Sequence, residues 1–117
     1  MNFTFNIQNF SESFVISLRG KIMSDSEINE ISLSISKLIS ENKSKLIFNL
    51  SDLTYLNSSG INLFMKTLTK TRINNGDLIF YGVNGNVKNL FQIAKLNEIY
   101  TIYNSEKEAL NHFKNKE

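Results

Sequence analysis

Leu46-Ile-Phe-Asn-Leu50 is an almost unbroken apolar run, and it leads through a polar stretch to Asn57-Ser58-Ser59-Gly60 at the head of an amphipathic segment. A short apolar run of this kind suits a strand buried on both faces, which restricts the chain to a sheet flanked by helices. Ser51 to Asn57 reads as the connecting loop. A helix is expected from about Ser58 to Asn74, with Ile61, Phe64, Met65 and Leu68 on its apolar face and Asn74-Asn75-Gly76 as its stop signal. A hydroxyl at a helix start lies beside free backbone N–H groups and the positive end of the helix dipole. A phosphate attached there is well tolerated by the fold, yet it transforms the surface met by a partner.

The other segments arrange themselves around this unit. Phe3, Phe5 and Ile7 alternate with polar residues as in a half-buried strand, and Phe14 to Leu18 reads as a second strand ending at Gly20. Asn9 to Ser13 is the polar link of a hairpin between them. Ser24 and Glu27 have capping-box spacing, and Ile28, Ile31, Ile35, Leu38 and Ile39 recur at helical spacing behind them, with Glu41 to Lys45 ending the element. Leu78 to Tyr81 is a further strand, followed by a turn over Gly82 to Gly85. Val87, Leu90, Phe91 and Ala94 mark a short helix, and Ile99 to Ile102 a last strand. Ser105 and Glu108 again have capping-box spacing, and Ala109, Leu110 and Phe113 supply the inner face of a closing helix. The order is β-β-α-β-α-β-α-β-α, an α/β chain with a mixed, mostly parallel sheet and right-handed crossovers.

The length of 117 residues matches one domain, and 41% hydrophobic with 21% charged residues suits a globular chain. Thirteen basic and eleven acidic residues leave a net charge of +2, too balanced to argue for nucleic acid or an anionic membrane surface. The absence of cysteine excludes disulfides and thiolate metal sites. His112, the sole histidine, reads as a surface residue of a terminal helix, so metal sites and histidine-dependent triads lack support. The stretch from Met1 to Ile7 has neither the basic region nor the long apolar segment of a signal peptide. No window approaches the roughly 20 apolar residues that cross a bilayer, so a cytoplasmic location is expected. The nine Phe and four Tyr are assigned mostly to the core rather than to a nucleic-acid stacking platform.

Several motifs in this order resemble the bacterial anti-sigma factor antagonists, which are STAS-domain proteins. They are Asn49-Leu-Ser-Asp-Leu53, the Asn57-Ser-Ser-Gly60 turn with Ile61 after it, and Gly76-Asp77 before a strand. Val87-Lys-Asn-Leu-Phe91, Leu96, Ser105-Glu106 and Ala109-Leu110 complete the set. The resemblance covers nearly the whole chain and implies one STAS domain over residues 1–117. It implies a partner-switching role that needs no cofactor and makes the chain a substrate and binding module, not an enzyme. The unmodified antagonist binds an anti-sigma factor that is also a serine kinase and so releases a sigma factor for transcription. Phosphorylation of the antagonist breaks that complex, and a phosphatase resets the switch.

Carried onto this chain, the resemblance implies Ser58 as the phosphoacceptor, with Ser59 as the runner-up and the better candidate for a plain helix cap. Asn57, Ser58, Ser59, Gly60, Leu63, Lys66 and Thr67 are the expected partner-binding residues; Leu63, Lys66 and Thr67 fall off the apolar stripe of their helix. Gly60 is expected either to allow close approach of the partner or to satisfy a local backbone requirement. Asn57 stands where the family often has Asp, and Lys21-Ile-Met23 lacks an acidic residue that many relatives carry. Two rival readings stay open. One is a STAS scaffold or transport-complex subunit in which Ser58 is silent. The other is a small enzyme or nucleotide-binding protein, although the chain has no Gly-rich phosphate loop.

Overall fold

The computed structural model describes residues 3–114. Met1 and Asn2, the first residues of the stretch weighed as a signal peptide, lie outside the described residues. The element order is β1 (Thr4–Phe10), β2 (Ser13–Ile22), α1 (Asp25–Ser40), β3 (Lys45–Leu56), α2 (Ser58–Ile73), β4 (Asp77–Tyr81), α3 (Gly85–Ile93), β5 (Thr101–Tyr103) and α4 (Glu106–Lys114), with a 3-10 turn over Leu96–Glu98. The strands lie in the order β1-β2-β3-β4-β5. β1 pairs antiparallel with β2, and every later pair is parallel.

The expected order of elements is present, and the apolar run of β3 explains the layering. Leu46, Phe48 and Leu50 point into a core shared with Ile31 and Ile35 of α1, Phe64 and Leu68 of α2, and Val87 and Phe91 of α3. Ile47 points the other way and packs with Val15, Ile79 and, from α4, Ala109 and Phe113. Three helices therefore cover one face of the sheet and α4 the other. Within the larger core Phe80 meets Phe48, Phe64 and Phe91 at ring distances of 5.5, 5.2 and 5.7 Å. Such rings bury much apolar area in fixed geometry, and here they seat α2 firmly on β3 and β4.

The structure changes several local expectations. The hairpin link shortens to Ser11 and Glu12, because Phe10 pairs with Ser13 and Ser11 adopts φ 57°. The last strand is Thr101–Tyr103, with Ile99 46% exposed ahead of it. His112 is not a surface residue: its side chain is 13% exposed, its Nδ1 lies 2.8 Å from the Tyr103 hydroxyl, and its ring packs on Phe113. The largest change concerns the supposed loop from Ser51 to Asn57, which is strand as far as Leu56. Two register shifts against β2 put extra residues into β3, after Asn49 and after Leu53, so Leu53 and Leu56 face the core out of simple alternation. Bulges of this kind break period-two patterning, which is why the sequence looked like a loop. Thr54 Oγ1 donates to the Gly20 carbonyl at 3.1 Å beside this irregular stretch.

The end of α2 follows its sequence signal closely. Asn75 takes the left-handed conformation at φ 66°, and the Gly76 N–H donates to the Thr71 carbonyl at 2.7 Å. This pair of features closes the last helical turn in the Schellman manner. Gly76 is required for another reason: a Cβ there would lie 2.0 Å from the Ser44 carbonyl oxygen.

Candidate functional site

The lengthened β3 carries the Asn-Ser-Ser-Gly turn to the carboxyl end of the sheet. Ile22 pairs with Leu56, and the Asn57 N–H donates to the Ile22 carbonyl at 3.1 Å. The chain turns into α2 directly from this paired strand end. Asn57 is extended, with φ −101° and ψ −169°, and its Oδ1 accepts from the Ser59 N–H at 3.0 Å and the Gly60 N–H at 3.3 Å. Asparagine is among the residues that cap helices best, because its oxygen replaces a missing backbone acceptor. Two of the N–H groups at this helix start, those of Ser59 and Gly60, are thus engaged by the chain itself rather than free for a phosphate. The helix dipole remains, and the Ser58 N–H has no partner among the described residues.

The two serines differ in their surroundings. Ser58 is exposed, and its hydroxyl has no hydrogen-bond partner among the described residues. Ser59 is half-buried and donates its hydroxyl proton to Asp25 Oδ1 at the start of α1. Sequence reasoning missed Asp25 as a site residue. Its only local signal is its position in the first turn behind Ser24, where Glu27 Oε1 accepts from the Met23 and Ser24 N–H groups at 2.7 and 3.2 Å. What brings Asp25 to Ser59 is the side-by-side pairing of β2 and β3, whose ends launch the two helices together.

Of the expected partner-binding residues, Asn57, Ser58 and Ser59 meet at the turn, and Lys66 is exposed on α2. Leu63 and Thr67 are corrections: they are 4% and 2% exposed, packed inside rather than turned to solvent, and only Leu63 still edges the groove beside the turn. α2 packs against α1 as well as the sheet, so its buried face is wider than a sheet-facing stripe and is centred differently. Met65, expected inside, is 40% exposed. Thr67 tolerates burial because its hydroxyl donates to the Leu63 carbonyl at 2.7 Å. Gly60 is buried beneath the helix, where an added Cβ would lie 3.0 Å from Leu56 Cβ and 3.1 Å from Leu56 Cδ1. The glycine lets α2 pack closely on the end of β3, and no left-handed backbone angle is involved.

Beside the turn, a groove of about 360 Å³ runs between the starts of α1 and α2, lined by Asp25, Ile28, Asn29, Ser59, Asn62 and Lys66 among others. Among the described residues, no cluster of three or more His, Asp or Glu side chains is placed to hold a metal ion. None of the helices among the described residues is long and apolar enough to cross a membrane.

A five-stranded mixed sheet with three helices on one face, α4 alone on the other and a serine pair at the β3–α2 junction defines a class of small α/β domains. The family model of the STAS domain matches residues 4–109, and the chain belongs to that family. Solved structures agree on the fold. The anti-sigma factor antagonist SpoIIAA in its unphosphorylated form superposes with a TM-score of 0.77 at 21% identity, covering 96% of this chain and 99% of that one. The Bacillus cell fate determinant SpoIIAA in its phosphorylated form gives 0.75 at 22% identity, over 94% and 99%. An anti-sigma factor antagonist from Mycobacterium paratuberculosis gives 0.82 at 17% identity, over 95% and 93%.

Proposed function

We propose that this STAS domain is an anti-sigma factor antagonist, switched by phosphorylation of Ser58. In the unphosphorylated state it binds an anti-sigma factor that is also a serine kinase, and a sigma factor is released. Phosphorylation ends that binding, and a phosphatase restores it. The protein acts as a cytoplasmic binding module and kinase substrate, not as an enzyme. The observation that carries the reading is the exposed Ser58 hydroxyl, unpartnered among the described residues, on a helix start that is pinned from below by Leu56 and the Phe48–Phe64 contact.

The switch requires no refolding. A phosphoryl group adds about −1.5 to −2 charge. On the free protein that charge sits in water at the favourable end of the helix dipole, at little cost. In a docked complex it must be desolvated against a surface shaped for a neutral hydroxyl. A penalty of about 3 kcal/mol weakens binding roughly 100-fold. The test is incubation with the cognate anti-sigma factor kinase and ATP, followed by mass spectrometry and a pull-down. Phosphate is expected on Ser58, and Ser58→Asp is expected to abolish nucleotide-dependent binding to the kinase. Persistent phosphorylation of Ser58→Ala would sink the assignment.

A further inference from the structure

The hydrogen bond from Ser59 to Asp25 links residues 34 positions apart and joins the starts of α1 and α2. Resting on the phospho-switch reading above, we infer that Asp25 selects the acceptor: it occupies and charges the surroundings of Ser59, so phosphoryl transfer falls on Ser58 alone. Two neighbouring serines on one helix start would otherwise present similar hydroxyls to a kinase.

Three observations support the selection. The Ser59 hydroxyl is half-buried and committed to a carboxylate, whereas the Ser58 hydroxyl is exposed and has no partner among the described residues. Phosphorylation at Ser59 would replace the hydroxyl proton that Asp25 accepts and set a phosphate dianion directly against that carboxylate. Like charges at such distances repel strongly, and more so where solvent is partly excluded. The Ser59 and Gly60 N–H groups, which could have compensated, are held by Asn57 Oδ1. Asp25 also supplies a negative charge at this helix start across space, although the residue before Ser58 is the neutral Asn57. Asp25 is thus a positioning residue that acts through Ser59. In the reaction it governs, an Oγ–P bond forms at Ser58, the bond from the γ-phosphorus of ATP to the ADP oxygen breaks, ADP leaves, and the Ser58 hydroxyl proton is released to solvent.

The experiment maps phosphosites by tandem mass spectrometry after incubation with the cognate kinase and ATP, on wild type, Asp25→Ala, Asp25→Asn, Ser58→Ala and the Ser58→Ala/Asp25→Ala double variant. Asp25 is an exposed first-turn residue, and circular dichroism checks that each variant is folded. Wild type is expected to carry phosphate on Ser58 only, and Ser58→Ala to carry none. Asp25→Ala is expected to place at least a tenth of the phosphate on Ser59, and the double variant to be phosphorylated there. Asp25→Asn, which keeps an acceptor but not the charge, is expected to fall between. A thermal double-mutant cycle of Asp25→Ala and Ser59→Ala is expected to be non-additive. Phosphate confined to Ser58 in Asp25→Ala, with an inert double variant, overturns the selection while leaving the switch intact, and so does an additive cycle. A wild-type protein that takes no phosphate at all refutes the switch itself, and the selection with it.

Discussion

Replacing Gly60 by alanine sets two effects of known size against each other. Alanine is favoured over glycine in a helix interior by about 1 kcal/mol. Gly60 is the third residue of α2, where less than that full gain applies. Against it stands the added Cβ, which would lie 3.0 Å from Leu56 Cβ, 3.1 Å from Leu56 Cδ1 and 3.4 Å from Ile22 Cδ1. Relief requires a few tenths of an ångström of movement. Leu56 Cβ is attached to a paired strand and cannot rotate away, and Leu56 and Ile22 are 4% and 0% exposed. Overpacking a tight contact costs about 1–3 kcal/mol. The packing term wins, and Gly60→Ala is expected to lose about 1 kcal/mol, a fall in Tm of roughly 4 °C. Chemical denaturation with thermal melting measures it, and an unchanged slope with denaturant concentration shows that the unfolded reference is the same. The backbone amide resonances of Ser58 and Ser59 are expected to move as the helix start shifts. A neutral or stabilising Gly60→Ala would refute the close-contact reasoning.

Asn57→Ala removes the side-chain acceptor of two helix N–H groups and is expected to cost about 1 kcal/mol in urea unfolding; an unaffected variant would mean that water caps this turn equally well. Leu63→Ala is expected to destabilise by about 2–4 kcal/mol, whereas Lys66→Ala on the exposed side changes stability by less than about 0.5 kcal/mol. Equal melting temperatures for those two would contradict the placement of Leu63 between α1 and α2. Burial raises the Tyr100 phenol to about 12, and burial with the adjacent Glu106 carboxylate raises Tyr81 to about 12, both from an ordinary 10.0. Because the folded values lie above the unfolded ones, the stability tied to both phenols is complete below pH 10.0 and is lost as pH rises toward 12. Urea unfolding across that window is expected to show the loss, and a Tyr81→Phe/Tyr100→Phe variant to flatten it.

The sequence was most readable where structure depends on near neighbours. The apolar run of β3, the Glu27 and Glu108 caps, and the Asn74-Asn75-Gly76 stop each act within a few residues, and each element appears where its signal lies. Reading faltered where a remote partner sets the outcome. The bulges of β3 are defined against β2, so Leu53 and Leu56 broke the alternation that a strand normally displays. The buried face of α2 is defined by α1, which drew Leu63 and Thr67 inside and left Met65 exposed. His112 looked solvent-facing because neither Tyr103 nor Asp77 is its near neighbour in sequence.

From the chain alone came the strand–turn–helix unit, the order of elements, and the two serines at a helix start. Hydrophobic periodicity, caps and stop signals suffice for these because they are local. The tertiary structure decided which hydroxyl of the pair is open. Ser58 faces outward, while Ser59 is drawn to Asp25, 34 residues earlier. That distinction follows from the parallel pairing of β2 and β3, which sets the starts of α1 and α2 side by side and converts two equivalent serines into one free and one held.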